Sequence, residues 1–154
     1  MLKIYLDLCV YNRPFDDQRH ERIFIEARAF YVILKWVEEE WICCINSDAL
    51  EYENSLTSDP DRRIRVKTYL EKAKLYVKIS DPIIKRAHEI VKLGFRGMDS
   101  LHIAMAEYGK ADYLVTCDDG IIKRYERMRK KIKVKICSLL KFIEEVSPDV
   151  ANGR

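Results

Sequence analysis

The sequence predicts an α/β fold, a three-layer α/β/α sandwich with a central, mostly parallel sheet. Three observations predict it. β-rich apolar runs alternate with stretches of helical periodicity from end to end, the pattern of a parallel sheet covered on both faces. Only five Gly and four Pro occur in 154 residues, so most of the chain belongs in regular elements. No internal repeat or low-complexity linker interrupts it, and this length suits one domain. That domain is expected over residues 1–146, with a frayed tail over 147–154.

The elements follow in order. Residues 3–10, rich in Ile, Leu, Val and Tyr, are β-rich and read as a buried strand ending near Asp7. Asn12-Arg13-Pro14-Phe15-Asp16-Asp17 is a turn by composition. Residues 18–39 read as a helix, because Ile23, Ala27, Phe30, Leu34 and Val37 recur at helical spacing. A short strand over 41–45 precedes Ser47 or Asp48, either of which can cap a helix to about residue 56. Residues 57–61 are polar and contain Pro60, hence a loop, and a basic helix then runs to about residue 74. Residues 75–79 form a short strand. Asp81-Pro82 opens the next helix, with Pro in its first turn, and Ile83, Ala87, Ile90 and Val91 give it an apolar face. Gly94 and Gly97 bracket a loop before a helix over 98–108. A strand over 111–116, a helix over 118–130, a strand over 134–137 and a helix over 138–145 complete the pattern.

Composition narrows the function. Apolar residues make up 48%, ordinary for a globular domain, and no run approaches the ~20 residues that span a bilayer. The start, Met1-Leu2-Lys3-Ile4, passes into a strand without a signal-peptide pattern, so a cytoplasmic protein with no membrane contact is expected. The cysteines, Cys9, Cys43, Cys44, Cys117 and Cys137, are odd in number and lack a C-x-x-C pair. They suggest neither a disulfide framework nor a zinc ribbon, and read as buried thiols. Net charge is only +3, but basic residues cluster. One group spans Lys123 to Lys135, and another comprises Arg62, Arg63, Arg65 and Lys67. Each fits phosphate contact and fits equally a solvated helix face.

The acids carry the chemistry. In an open parallel sheet, ligands bind beyond the carboxyl ends of the strands. Asp7 in the first strand, Glu53 on the helix after the second, Asp99 opening a helix and Asp118 ending a strand can all converge there. A buried unpaired carboxylate is costly, which favours a function for Asp7. Asp99 and Asp118 also fit helix caps, and Glu51 competes with Glu53. Four close carboxylates need positive charge, and hard divalent ions prefer oxygen ligands, so Mg²⁺ or Mn²⁺ is the natural cofactor. Zinc fits less well, since no His/Cys cluster has suitable spacing. Asp7-Leu8-Cys9 lacks the second Asp of the Asp-x-Asp phosphatase motif, and the acidic pair of receiver domains is missing.

Two linked segments point further. Met98-Asp99-Ser100-Leu101-His102-Ile103-Ala104-Met105-Ala106 is followed by Ala111-Asp112-Tyr113-Leu114-Val115-Thr116-Cys117-Asp118-Asp119. With Tyr5-Leu6-Asp7 and the 11–17 run, they resemble PIN-domain nucleases, including the toxins of VapBC-type toxin–antitoxin pairs. The similarity covers roughly residues 2–145. It implies a PIN-like fold and a Mg²⁺- or Mn²⁺-dependent endoribonuclease acting on single-stranded or structured RNA. It implies metal ligation by Asp7, Asp99 and Asp118, with Glu53 completing the catalytic set. Thr116 matches a supporting hydroxyl, and Asn12 is expected to orient Asp7 or touch substrate. Thr-x-Asp spacing favours Asp118 over Asp119. His102 matches a packing and hydrogen-bonding position rather than a catalytic one. An antitoxin laid across the acidic groove and a homodimer are the implied partners. The alternative is a catalytically silent domain of the same fold that binds RNA or protein.

Overall fold

The strands are β1 (Leu2–Leu6), β2 (Ile42–Ser47), β3 (Leu75–Val77), β4 (Tyr113–Thr116) and β5 (Lys135–Ser138). This computed structural model describes the backbone of residues 1–151 and the side chains through Pro148. The strands form one all-parallel sheet in the order β3-β2-β1-β4-β5. The helices are α1 (Leu8–Asn12), α2 (Glu21–Glu38), α3 (Asp48–Ser55), α4 (Pro60–Leu70), α5 (Asp81–Lys92), α6 (Gly97–Tyr108), α7 (Asp119–Met128) and α8 (Leu139–Ala151). α2 packs against α8 and α5 against α6, so helices flank the sheet as the alternating pattern requires. Among the described residues, no helix is long and apolar enough to cross a membrane.

The core runs through the central strands. Ile4, Tyr5, Leu6, Ile45 and Val115 are buried, and Phe30, Ile33, Ile103 and Phe142 meet them from the helices. Each such side chain contributes about 1.5–3 kcal/mol by leaving water. All the cysteines are free thiols, and four of them are buried.

The first strand ends at Leu6, beside Asp7 as expected, and the rest of the apolar run, residues 8–12, forms α1. A short apolar run does not distinguish strand from helix by period. Asp7 decides it, because its carboxylate accepts the Leu8 N–H and starts a helix. The basic helix ends at Leu70, short of the expected 74, and 3₁₀ turns cover Arg13–Phe15 and Arg129–Lys131. The last helix runs to Ala151, beyond its expected end at 145; the rest of the expected tail, 152–154, lies outside the described residues.

The strand order positions the site. From β1 the chain steps outward through β2 to β3, then crosses back to the other side of β1 with β4 and β5. The direction reverses between β1 and β4, where Leu6 pairs with Val115. Beyond their carboxyl ends the connections diverge, leaving a crevice. Asp7 follows β1 directly, its N–H donating to the Val115 carbonyl at 2.9 Å, and Asp118 follows β4.

Candidate metal centre

Asp7 sits at the bottom of this crevice, 8% exposed. Its Oδ1 accepts the Leu8 N–H at 2.8 Å, and its Oδ2 accepts the Thr116 hydroxyl at 2.8 Å. Thr116 is fully buried at the end of β4, and its oxygen also accepts the Asp118 N–H at 3.0 Å. One hydroxyl thus ties two acids from neighbouring strands. Cys9 donates its thiol to Asp7 Oδ2 at 3.4 Å and accepts the Cys117 N–H at 3.3 Å. A side-chain hydrogen bond with Cys117, burial and the nearby Asp7 carboxylate push the thiol well up, outweighing the Cys117 N–H, which keeps it protonated.

Asp118 is a helix cap as well as a member of the cluster. Its Oδ1 accepts the Gly120 and Ile121 N–H groups at the start of α7. The other oxygen has no hydrogen-bond partner among the described residues. Asp99 lies inside the first turn of α6 and does not cap it; Arg96 holds that position. Burial, then the Asp7 and Asp118 carboxylates, push the Asp99 carboxyl up to about 6, with Glu53 adding to the rise and His102 opposing it. Burial is the larger cause of that shift, and the neighbouring carboxylates add to it.

Glu53 reaches the crevice from α3 by a different route. Its Oε1 lies 2.8 Å from His102 Nε2. His102 is buried on α6, and its Nδ1 lies 2.6 Å from the Tyr5 hydroxyl on β1. Tyr5 continues to Ser47 Oγ at 2.7 Å, and that oxygen accepts the Leu50 N–H as the cap of α3. A carboxylate only accepts, so His102 Nε2 carries the proton and donates it to Glu53. Burial works against the imidazolium, but the hydrogen bond to Glu53 and the Asp7, Glu53 and Asp99 charges outweigh it and raise the His102 pKa.

Single donor atoms of Asp7, Glu53 and His102 lie within 4.8 Å of one another. Both ring nitrogens of His102 are already hydrogen-bonded, so the imidazole positions Glu53 rather than offering a lone pair. Asp99 and Asp118 lie outside that close group. Among the described residues, carboxylate oxygens without a hydrogen-bond partner remain on Glu53, Asp99 and Asp118, beside an Asp7 whose two oxygens both accept hydrogen bonds. That donor set suits a hard, oxygen-seeking divalent cation.

The competing acids are committed elsewhere. Glu51 binds Lys67 at 3.0 and 3.2 Å. Asp119 pairs with both terminal nitrogens of Arg22, at 2.7 and 2.9 Å. Asn12 donates to the Leu8 carbonyl at 3.2 Å, not to Asp7. Of the second basic group, Arg62 is held by Asp16 and the Phe15 carbonyl, Arg63 by the Thr57 carbonyl and Lys67 by Glu51. Sequence reasoning missed the Tyr5–His102–Glu53 chain. The signal was present in Tyr5 and His102, two polar groups on packing positions of a buried strand and an Ala-rich helix.

The fold has solved counterparts. It matches a chain of VapBC2 from Rickettsia felis, bound in that crystal to a DNA fragment from their promoter. The TM-score is 0.54 at 13% identity, covering 89% of this chain and 98% of that one. It also matches a chain of FitAcB from Neisseria gonorrhoeae, with a TM-score of 0.51, 15% identity and the same shares, 89% and 98%. At such low identity the likeness is one of fold, and it is the PIN-like fold that the sequence resemblance implies. No protein-family model matches the chain, and no curated protein matches its sequence.

Proposed function

We propose that the chain is a divalent-metal-dependent endoribonuclease of the PIN-domain family, working through Asp7, Glu53, Asp99 and Asp118. The observation that supports the reading is that Asp7 and Glu53 bring donor atoms within 4.8 Å of each other, while the Asp7, Asp118 and Glu53 charges all add to the rise that burial gives the Asp99 carboxyl. In this reading Asp7, Asp99 and Asp118 hold Mg²⁺ or Mn²⁺, and Glu53, fixed by His102, completes the site. The bound cation would activate water and stabilise the leaving oxygen of a phosphodiester. Thr116 orients Asp7, and basic side chains hold the RNA backbone, so affinity falls with salt. The resemblance to VapBC-type toxins and the fold match to a VapBC2 chain support an antitoxin partner over the acidic groove. Self-association into a dimer belongs to the same reading and is checked by sedimentation.

The test is cleavage of a labelled RNA with and without Mn²⁺, beside Asp99→Asn. Losing a direct metal ligand should cost more than the ~10–100-fold typical of supporting partners. The variant should keep the circular dichroism of the folded chain. Full activity in Asp99→Asn sinks the assignment. RNA binding without cleavage by the wild-type chain, in the presence of Mn²⁺, selects the catalytically silent module instead.

A further inference from the structure

Beside the acids, Gly94 and Arg124 face each other. Gly94 has φ +104°, a left-handed conformation that favours glycine. A Cβ at this position would stand 3.0 Å from Arg124 Cζ, 3.1 Å from Nε and 3.2 Å from Nη1. The missing side chain is therefore the seat of the guanidinium. Arg124 lies on α7, the helix that Asp118 caps, and is half-buried. Gly94, Arg96, Asp99, Asp118 and Arg124 together line a cavity of about 160 Å³.

The arginines on the other side of the cluster are consumed. Arg22 is paired with Asp119, Arg62 with Asp16, and Arg13 with Asp16 and Glu26. Among the described residues, Arg124 and Arg96 make no ion pair within 4.0 Å, although Asp99 and Asp118 share their cavity. A guanidinium seated against Gly94 in a cavity shared with two carboxylates, yet paired with neither, keeps its donor fork for an incoming anion. Phosphate oxygens match that fork in charge and spacing.

We propose that Arg124, seated on Gly94, binds a backbone phosphate of the RNA strand in this cavity, with Arg96 at its mouth. The identity of the ligand rests on the nuclease reading above. The contact places one phosphate beside Asp99 and Asp118, and so sets the register of the strand over the acids. It also offsets the repulsion that the acidic cluster exerts on any polyanion.

The experiment measures binding of a labelled single-stranded RNA across a salt series, and cleavage in Mn²⁺. It compares Arg124→Ala, Arg124→Lys and Lys35→Ala, the last removing an exposed charge from α2. Arg124→Ala should weaken binding roughly tenfold for every RNA sequence tried. It should also flatten the log–log salt slope by about 0.7 and raise KM more than it lowers kcat. Arg124→Lys should keep the slope and recover only part of the affinity, because it restores the charge without the fork. Arg124→Ala binding as tightly as Lys35→Ala, with the same slope, overturns the phosphate site even if the wild-type chain cleaves. A wild-type chain that cuts nothing, yet loses affinity on Arg124→Ala, overturns the nuclease reading and leaves the phosphate site standing.

Discussion

The two halves of the acidic site are built on different principles. Asp7 and Asp118 stand at strand ends, fastened by backbone N–H groups and by one shared hydroxyl, Thr116. Glu53 stands on a helix and is fastened by side chains alone, through His102 and Tyr5 to Ser47. The first half is inherited from topology, since any parallel sheet with this strand order brings the ends of β1 and β4 together. The second half depends on three polar side chains buried in register. The strand-end half should therefore tolerate loss of a supporting partner, and the relayed half should not.

Among the residues that support the acids, the largest expected effect tests that contrast directly. His102→Ala frees Glu53 from its side-chain hydrogen bond and should lower Mn²⁺ affinity and cleavage about 10–100-fold. Thr116→Val removes one hydrogen bond from Asp7, which keeps the Leu8 N–H, and should fall at the low end of that range or below it. Metal titration followed by calorimetry separates the two. Equal losses would break the distinction.

Stability supplies the next test. Tyr5→Phe leaves the Nδ1 of buried His102 without its hydrogen-bond partner and Ser47 with one partner fewer, which should cost about 1–3 kcal/mol. Urea denaturation measures it. An unchanged midpoint would show that the relay holds Glu53 without supporting the fold.

These contrasts follow what a reader of the sequence can and cannot see. Asp99 and Asp118 were legible because they sit beside regular elements with strong local patterns, the Ala-rich helix and the Thr-x-Asp strand end. The parallel sheet was legible from alternation alone. Asp7 was legible as an acid at a strand end, but the helix α1 that it caps was not, because that helix hides in an apolar run. Glu53 could not be separated from Glu51 by local pattern, since both lie on the same short helix. What separates them is tertiary: Lys67 takes one, and His102, distant in sequence, takes the other. Asn12 illustrates the same limit, for its amide turns to its own helix and not to the site.

A smaller effect concerns pH in the absence of metal. Burial and the Asp7, Asp118 and Glu53 charges raise Asp99 to about 6, above its value in the unfolded chain. The unfolded chain therefore gives up this proton first as pH rises, and stability from this group declines from about pH 4 until pH passes 6. His102, also raised, pulls the same way at higher pH, losing its contribution as the imidazolium deprotonates in the fold. Wild type and Asp99→Asn should melt alike near pH 4, and wild type should melt lower by pH 7. A gap independent of pH would mean that Asp99 feels its neighbours less than the geometry implies. Added Mn²⁺ should stabilise wild type and leave the variant nearly unmoved.

The smallest effect comes from the acid next to the site. Asp118 and Asp119 are adjacent in sequence, yet Asp119 points outward to Arg22, with side-chain exposures of 62% and 50% for the pair. The Arg22 guanidinium lowers the Asp119 carboxyl, but solvent screens an exposed pair of this kind and leaves it little net worth. Asp119→Asn should therefore keep cleavage within about twofold of wild type and shift the melt slightly, whereas Asp118→Asn should lose both metal affinity and cleavage. Arg22 also donates to the Cys117 carbonyl at 2.9 Å, so it stays anchored without Asp119 and has no reason to swing into the acids. If Asp119→Asn nevertheless lost activity, the strand end would be feeding charge to the metal through the Arg22 pair. The strand-end half would then prove as dependent on side-chain relays as the Glu53 half.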